Sequence, residues 1–363
     1  MRVTRETRAS DGPVRQPSDP STPTLETPRA NVPLRQRKNC VVTMSSGTRN
    51  IILFGATGLI GEHITNAVLD NASDFGKIAV FTSSGTASSK SDEINALKTR
   101  GVEVIVGDLS LDQDVNAAFD AGFDTVVSCL GRPVIQAQLK LVELADKHTK
   151  VKRFVPSEYG TDIEYGPQSA QEIPHQQKLK VRAALKNVKD LEYTYVVTGP
   201  YGDADRGLFL SAAPVENEAS GTFDVKRKRA VLLGDGERRI SLTTMRDVGK
   251  LVVAALKHPE AAKNRALRVN SFTATPREIV AEFEKQTGGE SWDVSYTSLE
   301  KLKEMERQAH KEGNPRAGPL TLRRIWTEGG TLYEHRDNGA IGMENSVDSL
   351  QSAVGRAIQV QTT

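Results

Sequence analysis

The chain has 363 residues, room for one large α/β domain with a smaller lobe or for two domains. Lys and Arg number 48 against 46 Asp and Glu, a near balance that argues against nucleic acid or an anionic membrane surface as the main partner. The two cysteines, Cys40 and Cys129, sit in unlike contexts, which argues against a disulfide framework and fits a reducing, cytoplasmic setting. No apolar run approaches the roughly 20 residues of a membrane span, and so few cysteines with scattered histidines leave no structural zinc site.

Residues 1–47 carry Pro13, Pro17, Pro20, Pro23, Pro28 and Pro33, much Ser and Thr, and few large apolar residues. Such a segment buries too little to offset its ordering entropy and reads as a disordered extension. Arg2, Arg5, Arg8 and Arg15 suggest a transit peptide, but Glu6, Asp11, Asp19 and Glu26 and the prolines spoil that pattern. Met44, just ahead of the first strand, is an alternative start of translation.

From residue 50 strands and helices alternate. Apolar runs at 50–54, 77–81, 103–106, 124–128, 152–155 and 192–198 predict strands, and stretches at 59–72, 91–100, 112–121, 133–148 and 175–187 predict helices between them. This spacing predicts an α/β fold, a doubly wound parallel sheet of the Rossmann type with right-handed crossovers, over 48–200. Residues 201–363 read as a smaller α+β substrate lobe. Strand-like pieces fall at 222–233 and 238–242, then a helix at 245–258 expected to pack back on the first domain, and a strand at 266–270. Thr275, Pro276 and Glu278 predict a helix opened by a capping box. Residues 298–311 and 345–359 read as helices, and 313–343, rich in Gly and charge, as a loop over the site.

The first strand runs into Gly55-Ala56-Thr57-Gly58-Leu59-Ile60-Gly61. The first glycine allows the tight turn, the second lets backbone approach a pyrophosphate, and the third lets the helix pack on the strand. Free N–H groups at the helix start then receive the anion. A glycine triplet alone is weak, but a preceding apolar strand, a following amphipathic helix and a repeating βαβ pattern are the context that makes it a dinucleotide site.

An acid at the end of the second strand would hold a ribose 2′-hydroxyl. Here the chain reads Phe81-Thr82-Ser83-Ser84-Gly85, with no acid until Asp92. The hydroxyls of Thr82, Ser83 and Ser84 and the charge of Lys90 suit a 2′-phosphate, hence NADPH, although Lys90 reads equally as a solvated residue at a helix start. Asp108 faces the adenine or caps the next helix. Cys129 and Leu130 end the fourth strand, where backbone would pass along the nicotinamide.

No tyrosine has a lysine four residues later, so the Tyr-x-x-x-Lys mechanism of short-chain dehydrogenases is not available. On the helix after Pro174, however, Lys178, Val181 and Leu185 fall on one face. A lysine there, desolvated and beside a cationic nicotinamide, would have its pKa lowered into a range useful for proton transfer. The alternative is a lysine that snorkels to solvent. His175, one turn earlier, and Tyr201, after the sixth strand, are candidate substrate contacts; each reads also as an ordinary surface or packing residue. Trp292 and Trp326 read as core or lid.

The glycine motif, together with Arg153-Phe154-Val155-Pro156-Ser157-Glu158-Tyr159-Gly160, resembles the NmrA-type oxidoreductases, isoflavone reductase subfamily. Lys178-Leu179-Lys180-Val181-Arg182-Ala183-Ala184-Leu185 is similar to the helix that carries that family's catalytic lysine, with Lys178 at the matching position. Gly234-Asp235-Gly236, Arg246-Asp247-Val248-Gly249 and Asn270-Ser271 match later landmarks, and the resemblance covers most of 50–300. It implies NADPH, with Ser157, Lys178 and Pro200 beside the nicotinamide and Lys178 as general acid or base. Thr82 stands where the plant enzymes carry Arg. The tract 313–343 is more similar to fungal members, whose substrates include polyketides and aromatics. The expectation is therefore an NADPH-dependent reductase of a medium-sized aromatic or polyketide-type small molecule, working as a monomer or homodimer. The rival class is a non-catalytic redox sensor similar to the NmrA regulators, which lack the lysine at this position.

Overall fold

A computed structural model describes residues 50–363; the expected disordered extension, Cys40 and Met44 lie outside the described residues. Six strands alternate with helices in the first half: β1 Ile51–Phe54, β2 Ile78–Thr82, β3 Glu103–Val106, β4 Thr125–Ser128, β5 Arg153–Val155 and β6 Glu192–Val197. The helices between them are α1 Leu59–Asp70, α2 Ser84–Ser89, α3 Ser91–Thr99, α4 Asp112–Asp120, α5 Ala137–Lys147 and α6 Gln176–Lys186. The later elements are β7 Thr222–Asp224, β8 Arg229–Leu233, β9 Ile240–Leu242, α7 Met245–Lys257, α8 Pro259–Ala262, β10 Arg265–Arg268, β11 Phe272–Ala274, α9 Pro276–Gln286, β12 Asp293–Thr297, α10 Leu299–Lys311, α11 Ala317–Thr327 and α12 Leu350–Thr362.

The main sheet has seven strands in the order β10-β6-β5-β4-β1-β2-β3, and every neighbouring pair is parallel. This is the doubly wound arrangement expected from the alternation, extended by β10 from the second half of the chain. β1 lies at its centre, and Ile51, Ile52, Leu53 and Phe54 are all inaccessible to solvent, which is why the strand reads as a continuous apolar run. Its side chains alternate between two cores. Ile51 and Leu53 meet Ile64 and Val68 of α1 and Val248 and Leu251 of α7. Ile52 and Phe54 meet Phe119 of α4, Leu141 of α5 and Leu185 of α6. Strand order reverses between β1 and β4, and the crevice at their carboxyl ends is where a ligand binds in such sheets.

The helix expected over 245–258 is α7, and it packs on α1 at close range. A Cβ on Gly249 would come within 2.5 Å of the His63 carbonyl oxygen, so glycine is what lets the two backbones approach. The remaining elements form a separate core. β7 and β12 flank β8, and β9 pairs with β11. Phe223, Phe283 and Trp292 stack in series beneath them, so Trp292 is a core residue. The capping box at Thr275 and Glu278 forms as expected.

Two local expectations need correction, and one element was not expected. The tract 313–343 is not a plain loop, because it contains α11. Ala317, Leu320, Thr321 and Ile325 recur at helical spacing and are buried, while the surrounding glycines and charges hid that period. The last helix begins at Leu350 rather than 345 and is capped by Ser349. The serine-rich run after β2 forms α2, with Ser83 as its N-cap.

Candidate active site

A cleft of about 490 Å³ opens at the carboxyl ends of the central strands. Its floor is the glycine turn, one wall is α6, and the opposite wall is α11 with the segment 206–209. The size falls within the range of small-molecule sites, roughly 300–1,000 Å³.

Gly55 has φ +79°, and a Cβ there would stand 2.8 Å from the Cys129 carbonyl oxygen. A Cβ on Gly61 would stand 2.1 Å from the Gly55 oxygen. These two glycines hold α1 tight against β1 and β4. Gly58 is the N-cap of α1, with no side chain to cap the helix, and Gly58, Leu59 and Ile60 line the cleft. The first-turn amides and the positive end of the helix dipole are thus left for an anion, and the cradle fits a dinucleotide pyrophosphate. Ala56 and Thr57 shape the turn without lining the cleft.

The end of β2 lies beside this turn. Thr82 is buried. The Ser83 hydroxyl accepts from the Thr86 amide at 3.1 Å, and Ser84 is exposed in the first turn of α2. Lys90 donates to the Thr57 carbonyl at 2.7 Å and pairs with Glu93 at 3.1 Å. Lys90 therefore braces the outside of the glycine turn and is not simply solvated. Asp108 accepts from the amide and hydroxyl of Ser110; it does not cap α4, whose N-cap is Leu111.

Lys178 reaches the cleft from α6, in line with the buried Val181 and Leu185. Its ammonium donates to the Glu158 main-chain carbonyl at 2.7 Å. Burial pulls its pKa down to about 8, against the opposing pull of the Glu158 charge and with help from Arg132 and Arg182. An ammonium with that pKa can both hold and release a proton near neutrality.

His175, Tyr201, Cys129, Leu130 and Ser157 all line the same cleft. His175 is buried rather than on the surface, and its Nδ1 lies 3.0 Å from the Ser169 carbonyl. A carbonyl only accepts, so Nδ1 carries the proton, and burial favours the neutral ring. Its Nε2 is buried without a protein partner. The Tyr201 hydroxyl donates to the Tyr159 carbonyl at 2.7 Å. Burial pushes the Cys129 thiol up to about 12, which leaves it protonated and inert as a nucleophile. Pro200 does not itself face the cleft; its carbonyl accepts from the Thr243 amide beneath it. Among the described residues no cluster of His, Cys, Asp and Glu could hold a metal ion, and no helix is long and apolar enough to cross a membrane.

Several residues of the site escaped the sequence reading. Arg182, one turn beyond Lys178, is 2% exposed and makes a two-pronged bond to Glu158 at 2.9 and 3.2 Å. It also bonds Glu164 at 2.6 Å and lies over the Tyr195 ring. The i, i+4 spacing from Lys178 was the available signal. Arg132, Arg323 and Trp326 also line the cleft. Trp326 is a wall of the site, held by a bond from its indole nitrogen to Thr161.

Fold and cleft together are those of an NAD(P)H-dependent oxidoreductase. A model of the NmrA-like family matches residues 47–312, and the chain belongs to that family. It is 33% identical over 282 residues to oxidoreductase aprR of Aspergillus flavus, covering 77% of this chain and 87% of that one. It is 28% identical to phenylcoumaran benzylic ether reductase PT1 of Pinus taeda, over 67% of this chain and 76% of the relative. For isoflavone reductase of Pisum sativum the identity is again 28%, over 69% and 80%. Among solved structures, the leucoanthocyanidin reductase–NADPH complex from Vitis vinifera superimposes with a TM-score of 0.70 at 19% identity, covering 85% of this chain and 99% of that one. AtPrR2 with NADP+ and (+)pinoresinol gives a TM-score of 0.69 at 22% identity, covering 86% and 99%. These two likenesses establish the shared fold.

Proposed function

We propose that this chain is an NADPH-dependent reductase of a medium-sized aromatic or polyketide-type metabolite, with Lys178 as general acid/base. The observation that carries the reading is Lys178 itself. It is a half-buried lysine with its pKa lowered to about 8, on the wall of a cleft whose floor is a glycine turn shaped for a dinucleotide. The relatives named as reductases of aromatic metabolites, and the neighbours described as NADP complexes, point the same way.

When bound, NADPH supplies a hydride to an electrophilic carbon of a carbonyl, enone or benzylic centre. The amides of Leu59 and Ile60 receive the pyrophosphate at the start of α1. Thr82, Ser83, Ser84 and Lys90 stand at the adenosine end, and Cys129, Leu130 and Ser157 at the nicotinamide end. Lys178 donates the compensating proton to the substrate oxygen, held in place by the Glu158 carbonyl. Trp326 and Phe209 offer apolar surface to the substrate on the wall opposite α6. His175 offers Nε2 and Tyr201 its ring edge to the substrate.

The test is NADPH oxidation with a panel of enones, aryl ketones and benzylic ethers, comparing the protein with Lys178→Ala. Activity that survives the substitution unchanged rejects Lys178 as the proton carrier. Titration with NADPH and NADH tests the cofactor preference, and equal affinities reject the role given to Ser83, Ser84 and Lys90.

A further inference from the structure

Among the described residues, the charged side chains that line the cleft are all cations, Arg132, Lys178, Arg206 and Arg323. The four cations are not equivalent. Lys178 is the proton carrier of the proposed reaction. Arg206 stands at the mouth, 65% exposed, with Asp205 at 3.8 Å. Arg132 is also exposed and reaches the Pro174 carbonyl at 3.4 Å. Arg323 differs from all of these. Its guanidinium has no hydrogen-bond or ion-pair partner among the described residues, and its neighbours on the cleft wall are the apolar Leu322, Phe209 and Trp326. The charge influencing it is another cation, Arg316, the N-cap residue just ahead of α11, and burial beside that cation lowers its pKa to about 10, which leaves it charged at neutral pH.

A half-buried guanidinium set against apolar groups, with like charge nearby and no acid to answer it, has only solvent to pair with in the free protein. Its planar fork is suited to a carboxylate. The placement along α11 is also specific. Pro319, Leu322, Arg323 and Trp326 all face the cleft, at the i, i+3, i+4 and i+7 spacing of a single helix face. This helix begins at Ala317, beyond residue 312 where the family match ends.

We infer that Arg323 selects a substrate bearing a carboxylate, which it pairs with while the aromatic body lies against Trp326 and Phe209 and the reducible carbon faces Lys178. The inference rests on the reading of the cleft as a reductase site, and it adds the substrate's charge. Arg132, at the rim, attracts the same anion on its way in.

The test is isothermal titration of the protein, with and without saturating NADP+, with 4-hydroxycinnamate and with its uncharged analogue 4-hydroxycinnamamide. The acid is expected to bind about tenfold more tightly than the amide. Arg323→Gln should reduce that preference to about twofold or less, and Arg323→Lys should keep part of it while confirming that the wall still folds. NADP+ affinity should stay within about threefold in both variants. Equal affinity for acid and amide, or no detectable binding of the acid, overturns the inference. So does an Arg323→Gln variant that loses NADP+ instead of the acid, because the anion would then be the cofactor's own phosphate. Failure of the wild-type protein to bind NADP+ at all would reject the reductase reading, and the acid–amide comparison on the protein alone would still judge Arg323.

Discussion

Arg182 grips the carboxylate of Glu158 with two bonds, at 2.9 and 3.2 Å, while the main-chain carbonyl of the same glutamate receives the Lys178 ammonium at 2.7 Å. One residue thus links a buried ion pair to the proposed proton carrier of the cleft. Arg182 is a positioning residue: it fixes Glu158, and Glu158 fixes Lys178. Asp162, bonded by Arg268 at 2.8 Å, closes the network on its far side.

Breaking this pair leaves an uncompensated buried charge. Arg182→Leu should lower the unfolding free energy by roughly 3–5 kcal/mol, measured by urea denaturation. Glu158→Gln keeps the shape of the side chain and the carbonyl but removes the charge that raises the Lys178 pKa. The pH limb governed by Lys178 should then move to lower pH. An unmoved limb would separate the ion pair from the proton carrier.

In the proposed reaction reduction requires Lys178 in its ammonium form, so kcat should be flat at low pH and fall as pH rises through about 8. The oxidative direction should show the opposite limb. Lys178→Ala should lower kcat by about a hundredfold or more. A pH–rate profile without a limb near that value would count against the assignment.

The same shift has a stability consequence of definite sign. The Lys178 pKa is lowered from 10.5 to about 8 on folding, so between those values the unfolded chain binds more protons than the folded one. The partly desolvated ammonium therefore destabilises the fold in full below about pH 8, and the penalty is relieved as pH rises toward 10.5. Lys178→Met should raise Tm at pH 7 by roughly 1–3 °C, and the gain should shrink at pH 10. Equal gains at both pH values would contradict this.

Gly61→Ala would drive a methyl to 2.1 Å from the Gly55 carbonyl oxygen. The helix cannot retreat without opening the turn, so a loss of about 2–3 kcal/mol and of NADPH binding is expected. Gly249→Ala meets backbone of α1 at 2.5 Å on the far side of that helix. It should destabilise by a similar amount while weakening NADPH less. Thermal melts with and without cofactor distinguish the two.

Lys90 has one task in the structure, its bond to the Thr57 carbonyl, and a second in the proposed function, and one experiment separates them. Its pair with Glu93 is partly exposed and worth roughly 0–1 kcal/mol, so a 2′-phosphate could replace it readily. Lys90→Ala should weaken NADPH roughly tenfold and NADH by less than about twofold. Equal weakening of both would mean that Lys90 acts only through its bond to the Thr57 carbonyl.

What the sequence by itself determined was everything with a local cause. The period of the apolar runs set the strands and helices from β1 to β6, the three glycines marked the turn, and Thr275 with Glu278 marked a helix start. Lys178 was legible because Val181 and Leu185 share its face. The tertiary structure alone decided which distant groups meet. β10 joins the main sheet beside β6, more than sixty residues away in sequence. Glu158 meets Arg182 across a loop, and Arg323 arrives on a helix hidden by the glycines and charges around it. Periodicity reports which face of an element is apolar, but which buried charge finds a partner, and which is left without one, depends on how the elements pack.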